Sequence, residues 1–218
     1  MTLEVDRELV PEEPAEHFQS LGQQEHAAHL GMWLFLTSEV LLFGALFGVY
    51  TGCRLQYPSD FAAASHHNNA LLGTLNTLIL ISSSFSAAWA VHNASLGRRR
   101  PVLVSLSVTI SCGLAFLMVK GFEYRQHFAE GIFPGEAYRF AELPQHGANL
   151  FFTLYYTMTG LHALHVIGGL TALGVLTVLV LRGRFVGGRV TPLELGVLYW
   201  HLVDVVWIFL WPLMYLQG

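Results

Sequence analysis

Charge is what this sequence has least of. Only 12% of its 218 residues are Asp, Glu, Lys or Arg, against 53% that are hydrophobic. That balance excludes disorder, and it is too apolar for an ordinary water-soluble domain. Cysteine is almost missing too. Cys53 and Cys112 make no C-x-x-C pair and no disulfide framework. Cys112 falls in the middle of one apolar run and Cys53 near the end of another, so no bridge between them is expected, and the redox compartment stays open. There is no glycine-rich phosphate loop, no nucleophile elbow and no Cys/His metal spacing, so a catalytic centre is hard to build within this chain alone. Internal repeats and low-complexity segments are absent as well. The few acids are unevenly spread: Glu4, Asp6, Glu8, Glu12, Glu13, Glu16 and Glu25 all precede the first long apolar run. With no basic start and no apolar stretch before a cleavage site, this head reads as an acidic polar tail over residues 1–29 and not as a secretory signal. Nothing in it suggests nucleic-acid binding.

What the chain does have is five apolar runs, at about 30–50, 70–92, 102–122, 150–181 and 193–216, each near the roughly 20 residues a spanning helix needs. The expected fold is an all-α integral membrane protein, a bundle of five transmembrane helices occupying residues 30–218. The fourth run is longer than a bilayer requires and should tilt or project. Its Gly160, Gly168, Gly169 and Gly174 suit close helix approach. Arg98, Arg99 and Arg100 link runs two and three, and Arg182, Arg184 and Arg189 link runs four and five. With five spans these share a side with Arg7. Arg54, Arg125 and Arg139, with Lys120 at a helix end, fall on the other. The positive-inside rule then places the N-terminus in the cytoplasm and the C-terminus outside. The link from Gly121 to Asn149 is too polar and broken to span, and is expected as a folded extramembrane segment. Tyr50, Trp89, Tyr155, Trp211 and Tyr215, near run ends, suit interfacial belts or plain packing.

Polar residues inside the runs need partners, because acids and histidines at membrane depth normally face protein or water. On the fifth run Glu194, His201 and Asp204 fall within about 80° of one helical face. Glu39 lies near the centre of the first run, where desolvation favours a neutral carboxyl unless a partner stabilises its charge. His162 and His165 share a side of the fourth. Counting helical rise, Glu39, His165 and Asp204 reach similar depth, which permits one hydrogen-bonded cluster. Helix-to-helix hydrogen bonding is the simpler reading for the histidines. No Glu-x-x-His pair completes a metal set, but His162 or His165 with His201 remains a spacing open to bis-His haem. Arg182 and Arg184 are topology determinants that can also hold lipid phosphate.

By the fifth run the pattern is recognisable. Tyr199 to Leu210, YWHLVDVVWIFL, with Tyr199, Trp200 and Trp207, resembles the closing helix of subunit III of haem–copper terminal oxidases. Thr159 to Gly169, TGLHALHVIGG, is similar to the fourth helix of its short form. Gly31 to Leu42, GMWLFLTSEVLL, resembles the helix bearing the family's intramembrane glutamate, which maps to Glu39. LNT at 75–77 and Glu123-Tyr124 also match. The resemblance runs from about Gly31 to Leu216.

It implies a non-redox accessory subunit with no cofactor of its own. Haems and copper belong to partner subunits, and phospholipid is bound. Such subunits pack beside subunit I, within a complex that also holds subunit II, and sustain proton uptake over many turnovers. The complex reduces O2 to water and pumps protons, with electrons from cytochrome c sooner than from quinol. By this analogy Glu39, His162, His165, Glu194, His201 and Asp204 are structural, lipid-site or proton-linked residues, and Arg182 and Arg184 are phosphate contacts. Glu39 matches a carboxyl that reacts with carbodiimide. Without the first two helices of seven-helix members, the chain resembles the five-helix bacterial version, expected in the cytoplasmic (inner) membrane. The loop at Gly131 to Gly135 is a candidate contact for cytochrome c or another respiratory partner. Two alternatives stay open: a subunit III-like component of a nitric oxide reductase, and a haem- or quinone-binding membrane protein using His162, His165 and His201.

Overall fold

A computed structural model describes residues 16–143, 146–185 and 189–216. Among these there is no strand. The helices are α1 (Leu21–Gln56), α2 (Pro58–His67), α3 (Ala70–Ser95), α4 (Arg99–Ala129), α5 (His146–Leu181) and α6 (Thr191–Tyr215), with a 3-10 turn at Gly135–Ala137. All but α2 are long and apolar enough to cross a membrane, which gives the five spans expected.

The helix ends differ from the ends of the apolar runs, for a local reason. Hydropathy marks where a bilayer is crossed, whereas caps decide where a helix begins. Ser20 caps the helix by accepting from the Gln23 amide at 3.2 Å, and the Gln23 side chain reaches back to accept from the Gln19 amide at 3.0 Å. α1 therefore starts nine residues before the apolar run, inside the segment expected to be tail. The tail's residues 1–15 lie outside the described residues. Asn69 caps α3 by accepting from Leu71 and Leu72, and Pro58 opens α2 as a first-turn proline. α4 likewise continues to Ala129, so the first part of the link that begins at Gly121 is helical. Beyond it, Gly131 takes a positive φ of 82°, which a residue with a Cβ resists. There the Arg139 amide donates to the Gly131 carbonyl at 2.9 Å and Tyr156 donates to the Ile132 carbonyl at 2.9 Å. Burial pushes the Tyr138 hydroxyl up to about 12, and it donates to the Leu143 carbonyl at 2.7 Å.

The burial pattern is that of a protein solvated by lipid. Large apolar side chains such as Phe85 (71%), Met118 (69%) and Leu34 (66%) are exposed, while Lys120, Glu123, Asn76, His162 and Asp204 are all buried. α3 packs against α4 and α6, α5 packs against α4 and α6, and α2 caps α5. α1 leans on α5 and α6 and turns most of its surface outward. Trp200 fills the centre. A Cβ on Gly113 or on Gly169 would come within 2.7 Å of its ring, so both glycines are required for α4 and α5 to approach α6. Gly174 has nothing within 4 Å and Gly160 only a hydroxyl at 4.0 Å. Of the glycines expected to permit close packing in α5, Gly169 is thus the one that clearly does. The aromatic-belt reading fails for Tyr50, Tyr155 and Tyr215. All three are buried, because each hydroxyl finds a partner inside the bundle.

Candidate functional site

The centre of α1 delivers one clear pair. Glu39 Oε2 lies 2.8 Å from His165 Nε2, joining α1 to α5 across 126 residues of sequence. His165 Nδ1 sits 2.9 Å from the Leu161 carbonyl, which can only accept, so Nδ1 carries a proton. A neutral imidazole would then accept at Nε2 from a protonated Glu39, whereas an imidazolium would donate to a carboxylate. In either state the pair is neutral as a whole, which suits membrane depth. Phe43 stands edge-on to the imidazole at 5.2 Å, and Tyr199 donates to the His165 carbonyl at 3.3 Å. Both side chains remain 15% exposed.

Asp204 does not join this pair, contrary to the three-helix cluster that matching depth permitted. Depth agrees, but direction on α6 does not. His201 Nδ1 meets Ser84 Oγ of α3 at 2.6 Å, and Asp204 lies beside the same serine. His201 and Asp204 therefore face α3, not His162 and His165. Glu194 separates from both: it approaches His29 of α1 at 4.0 Å with side chains 39% and 43% exposed, in the first turn of α6. The shared arc on α6 is wide enough to face two neighbours. Glu194 is a residue of the arginine-rich end, not of the membrane interior.

His162 is wholly buried, with Phe116 edge-on at 5.6 Å and Trp207 at 5.3 Å. The bis-His haem geometry is not met. His162 points among aromatic rings, His165 at α1 and His201 at α3, so the three share no axis. Among the described residues no group of three or more His, Cys, Asp or Glu is placed to hold a metal ion. Arg182 and Arg184 are exposed at the C-terminal turn of α5, where Gly183 has φ 83° and the Arg184 amide closes the turn onto the Leu179 carbonyl at 3.0 Å.

The most elaborate polar site is one the sequence reading missed. Lys120, expected at a helix end, is 4% exposed inside the bundle. Its Nζ reaches Glu123 Oε2 at 2.9 Å, Tyr155 Oη at 2.7 Å and Tyr215 Oη at 2.8 Å. All three ammonium donors are thereby used. Tyr215 donates onward to Glu123 Oε1 at 2.6 Å, and the Tyr155 ring lies 4.7 Å below the charge, within cation–π range. The signal lay in Lys120 and Glu123 standing three apart, one turn of a continuing helix. Their Tyr partners, 35 and 95 residues away from Lys120, left no local trace. The remaining motif residues are structural joints: Tyr124 to Thr159 at 2.6 Å, Trp200 to Ser83 at 2.8 Å and Trp207 to Thr77 at 3.1 Å.

These motif residues coincide with a known pattern. Residues 16–218 match the family model for cytochrome c oxidase subunit III. A protein named cytochrome c oxidase subunit 3 from Sus scrofa is 31% identical over 197 residues, covering 86% of this chain and 69% of the relative. One of the same name from Pylaiella littoralis is 29% identical over 221 residues, covering 97% and 74%. A third, from Phoca vitulina, is 32% identical over 197 residues, covering 86% and 69%. The chain belongs to the cytochrome c oxidase subunit III family and is a multi-pass membrane protein, an accessory subunit of a terminal oxidase complex.

Proposed function

We propose that this chain works without a redox centre of its own, as the packing and lipid-holding subunit beside subunit I of an oxidase that takes electrons from cytochrome c. The observation that carries the reading is where its polar groups go. Glu39 is met by His165, His201 by Ser84 and Lys120 by a closed set of partners, so they join helices and leave no converging ligand set. Haems and copper then reside in subunits I and II, where O2 is reduced and protons are pumped. The relatives' names favour cytochrome c over quinol and over a nitric oxide reductase complex.

A groove between α1 and α6 suits phospholipid tails. Its two parts, of about 330 and 290 Å3, share Val40, Leu202 and Val205, and the first also takes in Trp33 and His201. Glu39 is the carboxyl nearest in sequence to this face, and Arg182 and Arg184 stand at the membrane end where a phosphate would lie. Arg98, Arg99, Arg100, Arg182 and Arg184 are on the side where α1 begins. The positive-inside rule makes that side cytoplasmic and the end of α6 external. The membrane domain spans 30–218, and the membrane is a bacterial cytoplasmic one, as the family resemblance implies.

Purification through this chain in mild detergent tests the reading. A haem-bearing subunit I should co-purify in equal amount, and the chain separated from it should have no haem absorbance. A chain that emerges alone, or that keeps stoichiometric haem, contradicts it.

A further inference from the structure

Most polar side chains buried in the bundle are paired, and several of the exceptions fall on one line. Asn76 of α3 is wholly buried, and neither its amide nitrogen nor its oxygen has a hydrogen bond within the chain. Asp204 of α6 is 3% exposed, and both its carboxylate oxygens are likewise unpaired. Trp211 Nε1 and Asn68 Oδ1 are in the same position. Ser84 lies beside Asp204, but its hydroxyl is engaged by His201 at 2.6 Å and makes no bond of normal geometry to the carboxylate.

The antiparallel register of α3 and α6 sets these groups in order. Ser84 meets His201, Thr77 meets Trp207, and Gly73 lies against Trp211. Asp204 falls between the first two contacts, Asn76 is three residues on from Gly73 and so its neighbour on that side of α3, and Trp211 is one turn beyond Trp207. Asp204 to Trp211 is then about 10 Å of helix rise. Asn68 continues the line at the head of α3, where its Nδ2 donates to the Met214 carbonyl at 2.8 Å.

A polar atom without a partner in hydrocarbon is costly, so the seam needs an occupant, and its chemistry narrows the choice. Asn76 and Trp211 present N–H donors, whereas Asp204, Asn76 and Asn68 present acceptors. A metal cation would leave the donors unmet, and an anion would face the Asp204 carboxyl. A lipid headgroup cannot enter a seam this enclosed. A small molecule that both donates and accepts fits all four groups. We propose that the α3–α6 seam is a hydration site, a short file of bound water running from the end of the bundle where α6 terminates to the middle of α6, seated on Asn68, Trp211, Asn76 and Asp204.

Radiolytic footprinting of the intact oxidase complex in water labelled with oxygen-18 tests this. Trp207, 0% exposed, lies along the file. It should take up label from water faster than lipid-facing Phe85, 71% exposed, after correction for intrinsic ring reactivity. Asn76→Leu should lower Trp207 labelling severalfold and leave labelling of the extramembrane Tyr138 unchanged. The proposal is overturned if Trp207 labels no faster than Phe85, or if Asn76→Leu assembles and labels Trp207 as the wild type does. Should that variant fail to assemble, the comparison within the wild-type complex decides.

Discussion

A lysine buried in a membrane bundle must have its charge and all of its donors met, and Lys120 satisfies both conditions with Glu123, Tyr155 and Tyr215. Removing one partner of such a pair exposes the other to an uncompensated environment, at about 3–5 kcal/mol. Lys120→Met should therefore destabilise the chain by about that much, read from denaturant titration in detergent. The double change Lys120→Met with Glu123→Leu should recover most of the loss, since Tyr155 and Tyr215 can still bond each other. Glu39 and His165 form a smaller joint, because interhelical polar contacts in bilayers average about 0.6 kcal/mol and reach about 1.7. Exchanging Glu39 should leave the fold intact, which makes it a probe of function sooner than of stability. A hydrophobic carbodiimide should modify Glu39, which is 15% exposed at the surface of an apolar helix. It should spare Glu123, 2% exposed and enclosed by Lys120 and Tyr215. Peptide mapping checks this, and labelling of Glu123 ahead of Glu39 would reverse the assignment. Glu39 was legible in the sequence because a charge in an apolar run is visible on its own. His165 as its partner was not, because depth can be counted along a helix but facing cannot.

At the scale of the element, the helices were legible and their ends and faces less so. Five apolar runs mark the five spans, but the cap at Ser20 and the continuation of α4 past Gly121 depend on hydrogen bonds that hydropathy does not weigh. α2 was missed altogether. Its apolar content is short, and it helps cover the core through Phe61, wholly buried and edge-on to Phe151 at 5.5 Å. Glycine positions show the same limit, since Gly160, Gly168, Gly169 and Gly174 look alike in sequence and their environments differ. Gly169→Ala drives a methyl into Trp200, and overpacking of this kind costs about 1–3 kcal/mol. Gly174→Ala meets open space, and should be neutral or stabilising by about 0.5–1 kcal/mol through helix propensity. Thermal denaturation of the two variants in one detergent should rank Gly169→Ala well below Gly174→Ala. Equal melting would mean that Trp200 is not clamped by α5.

For the whole molecule, composition and run count were enough for fold class, and five separated motifs were enough for the family. The internal wiring was not, because the contacts between Asp204 and Ser84, or Lys120 and Tyr215, depend on which helix faces which. That arrangement turns the polar groups inward among the chain's own helices and presents an apolar exterior to lipid and neighbouring subunits. Such a chain sustains a catalytic partner without sharing its chemistry. The most direct test is O2 consumption and metal content of the oxidase purified with and without this chain. The depleted complex should keep its haem and copper per subunit I and its initial rate, and then lose activity faster over successive turnovers. A depleted complex that starts with little activity, or has lost haem in proportion to the missing chain, would contradict this.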